Sequence, residues 1–148
     1  MAQNLRQQIA EDIVTVLKEL EDPKPVLVTR EPFVVTELAI TQFPAIFIQP
    51  NIEDRETITM GATSLGRRMG TISYIIRGYV RGVELDRRRN DLIEAIEEAL
   101  DSDRYRGLIT SGVIDSQIRR IEIIERQPPL AEFTIEYQVR YNYLRGAV

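Results

Sequence analysis

The side chains able to do chemistry in this 148-residue chain are carboxylates, guanidiniums, ammoniums, phenols and hydroxyls, because it contains no cysteine and no histidine. Thiolate and imidazole catalysis, disulfide frameworks and ordinary zinc or haem ligation drop out with those two residue types. Carboxylate pairs such as Glu53 with Asp54, or Glu97 with Glu98, are adjacent enough for acid–base work. A pair of this kind acts only when the fold gathers it into a pocket, and a solvated loop or helix face is the stronger reading for both. The glycines between Gly61 and Gly70 lack the Lys-Ser or Lys-Thr step of a phosphate loop and do not run from a strand straight into a helix. No serine sits in a nucleophile elbow. The expectation is a protein that is not an enzyme, with no catalytic residue, no cofactor and no metal.

What stands out instead is the placement of charge. The stretch Asn51 to Arg68 opens acidic with Glu53, Asp54 and Glu56 around Arg55, passes through small residues from Gly61 to Gly66, and closes basic with Arg67 and Arg68. A structureless connection of that length in a compact domain is usually either functional or disordered. A solvated hairpin tip and an interaction loop are evenly balanced for it. Arg87, Arg88 and Arg89 sit where a helix begins, and cations there oppose the helix dipole by a few tenths of a kcal/mol or more each. Either Glu84 and Asp86 compensate them, or a carboxylate from another chain meets Arg87 and Arg88. The formal net charge of -4 argues against whole-surface binding to nucleic acid and leaves a local basic patch open.

The elements that must position these charges follow from periodicity. Asn4 caps a helix whose apolar residues Leu5, Ile9, Ile13, Val16, Leu17 and Leu20 recur at helical spacing, and Pro23 and Pro25 stop it. Val26 to Thr29 and Phe33 to Thr36 read as one interrupted edge strand or two short ones. Phe43 to Ile48 reads as a strand whose Ala45 to Ile48 core is covered on both faces. In the strand Thr71 to Arg81, Ile72, Tyr74, Ile76 and Val80 share one face, and Ile75 and Tyr79 interrupt the polar one, so part of that face is covered too. A second amphipathic helix spans Leu85 to Leu100, and Asp101 to Gly112 is a turn. Ile118 to Glu125 is a strand that Arg126 to Pro129 links to an antiparallel neighbour.

That neighbour is the least ambiguous element. Within Glu132 to Leu144 every odd position from Phe133 to Tyr143 is apolar or aromatic and every even one from Glu132 to Asn142 is polar, the period of two of a half-buried strand. Glu132 and Glu136 fall on its polar face, where Arg77, Arg81 or Arg119 can pair with them across strands. Length and a 43% hydrophobic content suit a single domain over residues 1–148. The order of elements predicts an α+β fold: a largely antiparallel sheet, two amphipathic helices packed on one face and a long inter-strand loop. No apolar run is long enough to span a bilayer, and the N-terminal residues lack a signal-peptide core, so the protein is expected in a cytoplasm.

This succession resembles the tail terminator proteins of long-tailed bacteriophages. It comprises an amphipathic helix, the Phe43-Pro44-Ala45-Ile46-Phe47-Ile48 strand, a long polar loop, the Thr71 to Arg81 strand, the Asp86 to Leu100 helix and an alternating strand ending in Tyr141-Asn142-Tyr143. The resemblance spans nearly the whole chain and rests on layout and the Phe-Pro-Ala-Ile step. It implies a virion subunit, assembled in the host cytoplasm, that forms a hexameric ring on the head-proximal end of the tail tube, stops tube growth and receives the head connector. By position it places Glu53, Asp54, Arg55, Glu56, Arg67 and Arg68 at subunit contacts or in the channel. Its implied partners are further copies of itself, the tail tube protein, head connector and neck proteins, and DNA passing through without specific binding. Related neck and head-completion proteins share much of the layout. A cellular α+β regulatory module, with a ligand pocket lined by Tyr74, Tyr79 or Tyr137, is the alternative from another class.

Overall fold

The computed structural model describes residues 4–57 and 67–144. Helix α1, Leu5–Lys18, starts where the Asn4 side chain accepts the Gln7 backbone N–H at 2.8 Å. That bond satisfies one of the four orphan donors of a first turn. Ile9, Ile13 and Leu17 are buried on one face, and Leu20, just past the helix, still packs on the core. Helix α2, Leu85–Asp101, buries Leu92, Ile93, Ile96 and Leu100.

Five strands form one sheet: β1 Leu27–Thr29, β2 Ala45–Thr57, β3 Arg67–Arg81, β4 Val113–Ile124 and β5 Leu130–Leu144. Their order is β1-β2-β3-β5-β4, antiparallel except for the short β1–β2 pair. As the sequence predicts, the architecture is α+β with both helices against one face. β5 is enclosed by β3 and β4, and Phe133, Ile135, Tyr137, Val139, Tyr141 and Tyr143 are all buried under the helices or beside them.

Two glycines on β3 make room for that aromatic row. Gly78 lies opposite Phe133 and Gly70 opposite Tyr141 in the ladder. A Cβ at Gly78 would fall 2.1 Å from the Phe133 ring, and one at Gly70 2.3 Å from the Tyr141 ring. Glycine inside a strand here lets a cross-strand ring lie flat over the backbone.

The turn after α2 is closed by a buried cation. Arg106 is 2% exposed; its Nη2 donates to the carbonyl of Leu100 at 2.7 Å, its Nε to that of Asp103 at 2.9 Å, and its Nη1 reaches Asp12 Oδ2 on α1 at 3.3 Å. It satisfies a carbonyl left over at the C-terminal end of α2 and ties the two helices together.

Two expectations need correcting. Phe33 to Thr36 is not a strand: a 3-10 turn at Val35–Glu37 and another at Ile40–Gln42 carry the chain from β1 to β2. Pro32 withholds a ladder donor, and the side chains of this segment serve a different purpose. Phe33, Val35, Leu38 and Phe43 form a second small core over Ala45 and Tyr79, on the face opposite the helices. Phe33 meets Tyr79 and Phe47 edge-on at centroid distances of 5.6 and 5.9 Å. This is the covering that the apolar interruption at Tyr79 anticipates.

The long loop is the second correction. The chain from Asn51 to Thr57 continues β2, and β3 already begins at Arg67, with pairs running from Ile52 opposite Ser73 to Thr57 opposite Arg68. The middle of the expected loop, residues 58–66, lies outside the described residues. A bulge between Pro50 and Ile52 admits Asn51 as an extra residue, because Pro50 has no N–H to donate. Beyond the bulge both faces of β2 carry polar side chains, which hides the period of two.

Candidate functional site

Of the six charged residues expected at contacts or in a channel, Glu53, Asp54, Arg55, Glu56 and Arg68 are divided by the pleat of β2 and β3. Successive side chains of a strand point to opposite faces, so Glu53 and Asp54 are separated by the sheet and form no catalytic dyad.

Glu53 faces the helix side. Its carboxylate accepts from Arg6 Nε at 2.6 Å and Arg6 Nη2 at 2.9 Å, from Arg55 Nε at 2.8 Å and from the Tyr141 hydroxyl at 3.1 Å. Burial pushes its pKa up, and the hydrogen bonds from Arg6, Arg55 and Tyr141 more than offset that, so the carboxyl sits below its ordinary range. Arg55 also stacks its guanidinium over Tyr143, 4.8 Å from the centroid. Arg68 stands opposite Tyr143 in the ladder and is half-buried. Glu53 is thus an internal clasp joining α1, β2 and β5. Beside it a depression of about 480 Å³ opens between α1 and the β2 bulge, floored by Ile72 and Tyr74 and edged by Arg6 and Arg30. Burial raises the Tyr74 phenol well above its ordinary pKa, which keeps it a neutral hydrogen-bonding group.

Asp54 and Glu56 face the other way, with the even residues of β5. The register builds rows across four strands: Asp54, Thr71, Arg140 and Asp115; then Gln49, Ile75, Glu136 and Arg120; then Phe47, Arg77, Thr134 and Glu122. A shallow polar basin of about 400 Å³ lies on this face, bordered by Asp54, Glu56, Arg119, Gln138 and Arg140. Arg67 belongs to the same ladder end, opposite Leu144. At the far end of the face Glu132 is 3% exposed and held by Arg126 Nε and, at 3.7 Å, by Arg77 Nη1. The cross-strand pairing of Glu132 with Arg77 is therefore structural, as expected.

Arg87 and Arg88 are exposed on the first turn of α2. Arg87 comes within 3.9 Å of Glu84, and Arg89 bonds Asp86 at 2.9 Å, so local acids do offset the unfavourable dipole. Arg88 borders a small hollow with Asp91, Phe43 and Val80. Glu97 and Glu98 lie on α2, half-buried and exposed respectively.

Sequence reasoning missed Arg106 and the partners of Glu53. An arginine inside a turn carries no mark of burial, and Arg6 and Tyr141 lie far from Glu53 in the chain. Among the described residues no group of three or more acidic side chains is placed to hold a metal, and no helix is long and apolar enough to cross a membrane.

No family model and no curated protein matches this chain. Among solved structures it is similar to a chain of a "Virion of native gene transfer agent (GTA) particle", with 10% identity and a TM-score of 0.49 over 94% of this chain and 95% of that one.

Proposed function

We propose that the chain is a single-domain structural subunit of a tailed-phage particle that forms a ring at the head-proximal end of the tail tube, ends tube polymerisation and joins tail to head. The observation that carries the reading is the sheet face turned away from the helices. It is built from largely polar and charged cross-strand rows over β2, β3, β5 and β4, and its acids Asp54 and Glu56 make no ion pair among the described residues. A face of this kind fits contact with further copies or an aqueous channel better than it fits a catalytic pocket. The layout that resembles the tail terminators supports the same reading, since a small α+β subunit is what that resemblance implies.

In this role the acidic chain conducts DNA without gripping it, because a lumen that neutralised many phosphates would retain the genome. Subunits of a ring meet through unlike surfaces, head to tail. Native mass spectrometry of the purified protein, alone and with tail tubes, together with negative-stain imaging, tests this. Discrete oligomers or rings capping tube ends are expected. A monomer under every condition, with no binding to tubes, overturns the reading. Rings that bind a head connector but never a tube would make it a neck protein instead.

The depression beside Tyr74 is the specific feature that favours a cellular binding module as the second reading. A metabolite retained there through purification, with the protein monomeric, would decide for it.

A further inference from the structure

The sheet has two unpaired backbone edges of unlike character. β1 covers only Ala45 to Phe47 of β2, so among the described residues β2 beyond the Pro50 bulge has no neighbour on its outer side. β4 is the terminal strand on the other side, and its ladder is unbroken from Arg120 to Ile124 after a bulge at Ile118/Arg120. Among the described residues the outer edge of β4 is free from Val113 to Ile124, and that of β2 from Ile52 to Thr57.

We propose that these two edges are one subunit junction: Ile118 to Glu122 on β4 of one copy adds antiparallel to Ile52 to Glu56 on β2 of the next, making a continuous sheet around a ring. This deepens the ring reading above and rests on it. An exposed edge is a template for pairing with another chain, and charges on the edge decide with which. Asp54 and Glu56 make no ion pair among the described residues, and neither does Arg120. Setting Arg120 opposite Asp54 leaves Glu122 beside Ile52, which is 54% exposed, rather than beside an acid. Pairing β2 with another β2 would set acid against acid, so the charges select the unlike edge. Strand directions agree, because β2 and β4 run antiparallel within one sheet and a neighbour facing the same way presents β2 antiparallel to β4. Arg120 stands level with Gln49 in its own sheet, so setting it opposite Asp54 of the next copy offsets successive subunits along the strands, which inclines them to the ring axis as in a closed barrel.

The test uses the full chain. Asp54→Arg and Arg120→Glu, both at exposed positions, are each expected to lower the oligomeric fraction in native mass spectrometry by roughly tenfold or more, and the two together to restore it. Because the chain has no cysteine, Asp54→Cys with Arg120→Cys should give a ladder of covalent oligomers on oxidation, while either alone gives none. Oligomers that persist in both single charge variants overturn the junction and leave the ring reading standing. Dimers from Arg120→Cys alone would show β4 meeting β4, which also overturns it. A wild-type chain that stays monomeric even with tail tubes removes the ring itself, and the junction with it.

Discussion

The two faces of the sheet solve different problems with the same strands. Under the helices, aromatic and branched side chains are buried to near zero exposure, glycines yield to rings, and the charged groups present are clasped inside the subunit. On the opposite face one end is closed by the Phe33 to Phe43 segment and the rest is polar, with cross-strand rows instead of a core. Burial therefore explains the first face, while the order of the second comes from the ladder alone.

Substitutions should separate the faces by size of effect. The largest is expected at Arg106. Arg106→Leu leaves Asp12 and the carbonyls of Leu100 and Asp103 without their donor, and losing one side of a buried charged network costs about 3–5 kcal/mol. Urea denaturation measures it, and a loss under about 1 kcal/mol would show that water replaces the guanidinium.

Gly78→Ala comes next. Its Cβ would enter the Phe133 ring, and overpacking of this kind costs about 1–3 kcal/mol. Combining it with Phe133→Leu should recover part of that cost, so the two losses will not add. Strict additivity in a double-mutant cycle would break the account of the aromatic row.

Glu53→Gln is expected to cost about 1 kcal/mol near neutral pH, allowing for the partial exposure of Arg6. The folded carboxyl titrates below its unfolded value, so its contribution is present above the ordinary carboxylate range and is lost as pH falls through the depressed folded value. Wild-type and variant melting curves should converge in acid. A gap that widens there contradicts the clasp.

The smallest effect is expected on the polar face. Thr134→Ala or Gln138→Ala should change stability by no more than about 0.5 kcal/mol. If either also weakens ring formation, the contrast between the faces is one of fold against assembly.

Both helices, the central pair of strands and the fold class were legible in the sequence, because each repeats its apolar residues at 3.6 or 2 over many positions. Leu5 to Leu20 and Glu132 to Leu144 needed nothing else. The outer half of β2 was not legible. Past the Pro50 bulge it projects beside the helices' edge, where Glu53 and Arg55 stand in for apolar residues on the inner face, so a strand looks like a loop. Phe33 to Thr36 failed for the opposite reason: branched and aromatic residues fit a strand, but their contacts are with Tyr79 and Ala45 across the layer.

Of the candidate contact residues, type and approximate location came from charge patterning. Their division between faces came from the structure. A strand's pleat sends neighbours to opposite sides, so one residue of register decides whether an acid is an internal clasp, like Glu53, or an exposed charge, like Asp54. Local spacing determines which segments are helix or strand and which side of each is apolar. Which distant arginine meets which carboxylate, and which edges stay unpaired, depends on the order in which strands assemble, and only the tertiary structure decides that.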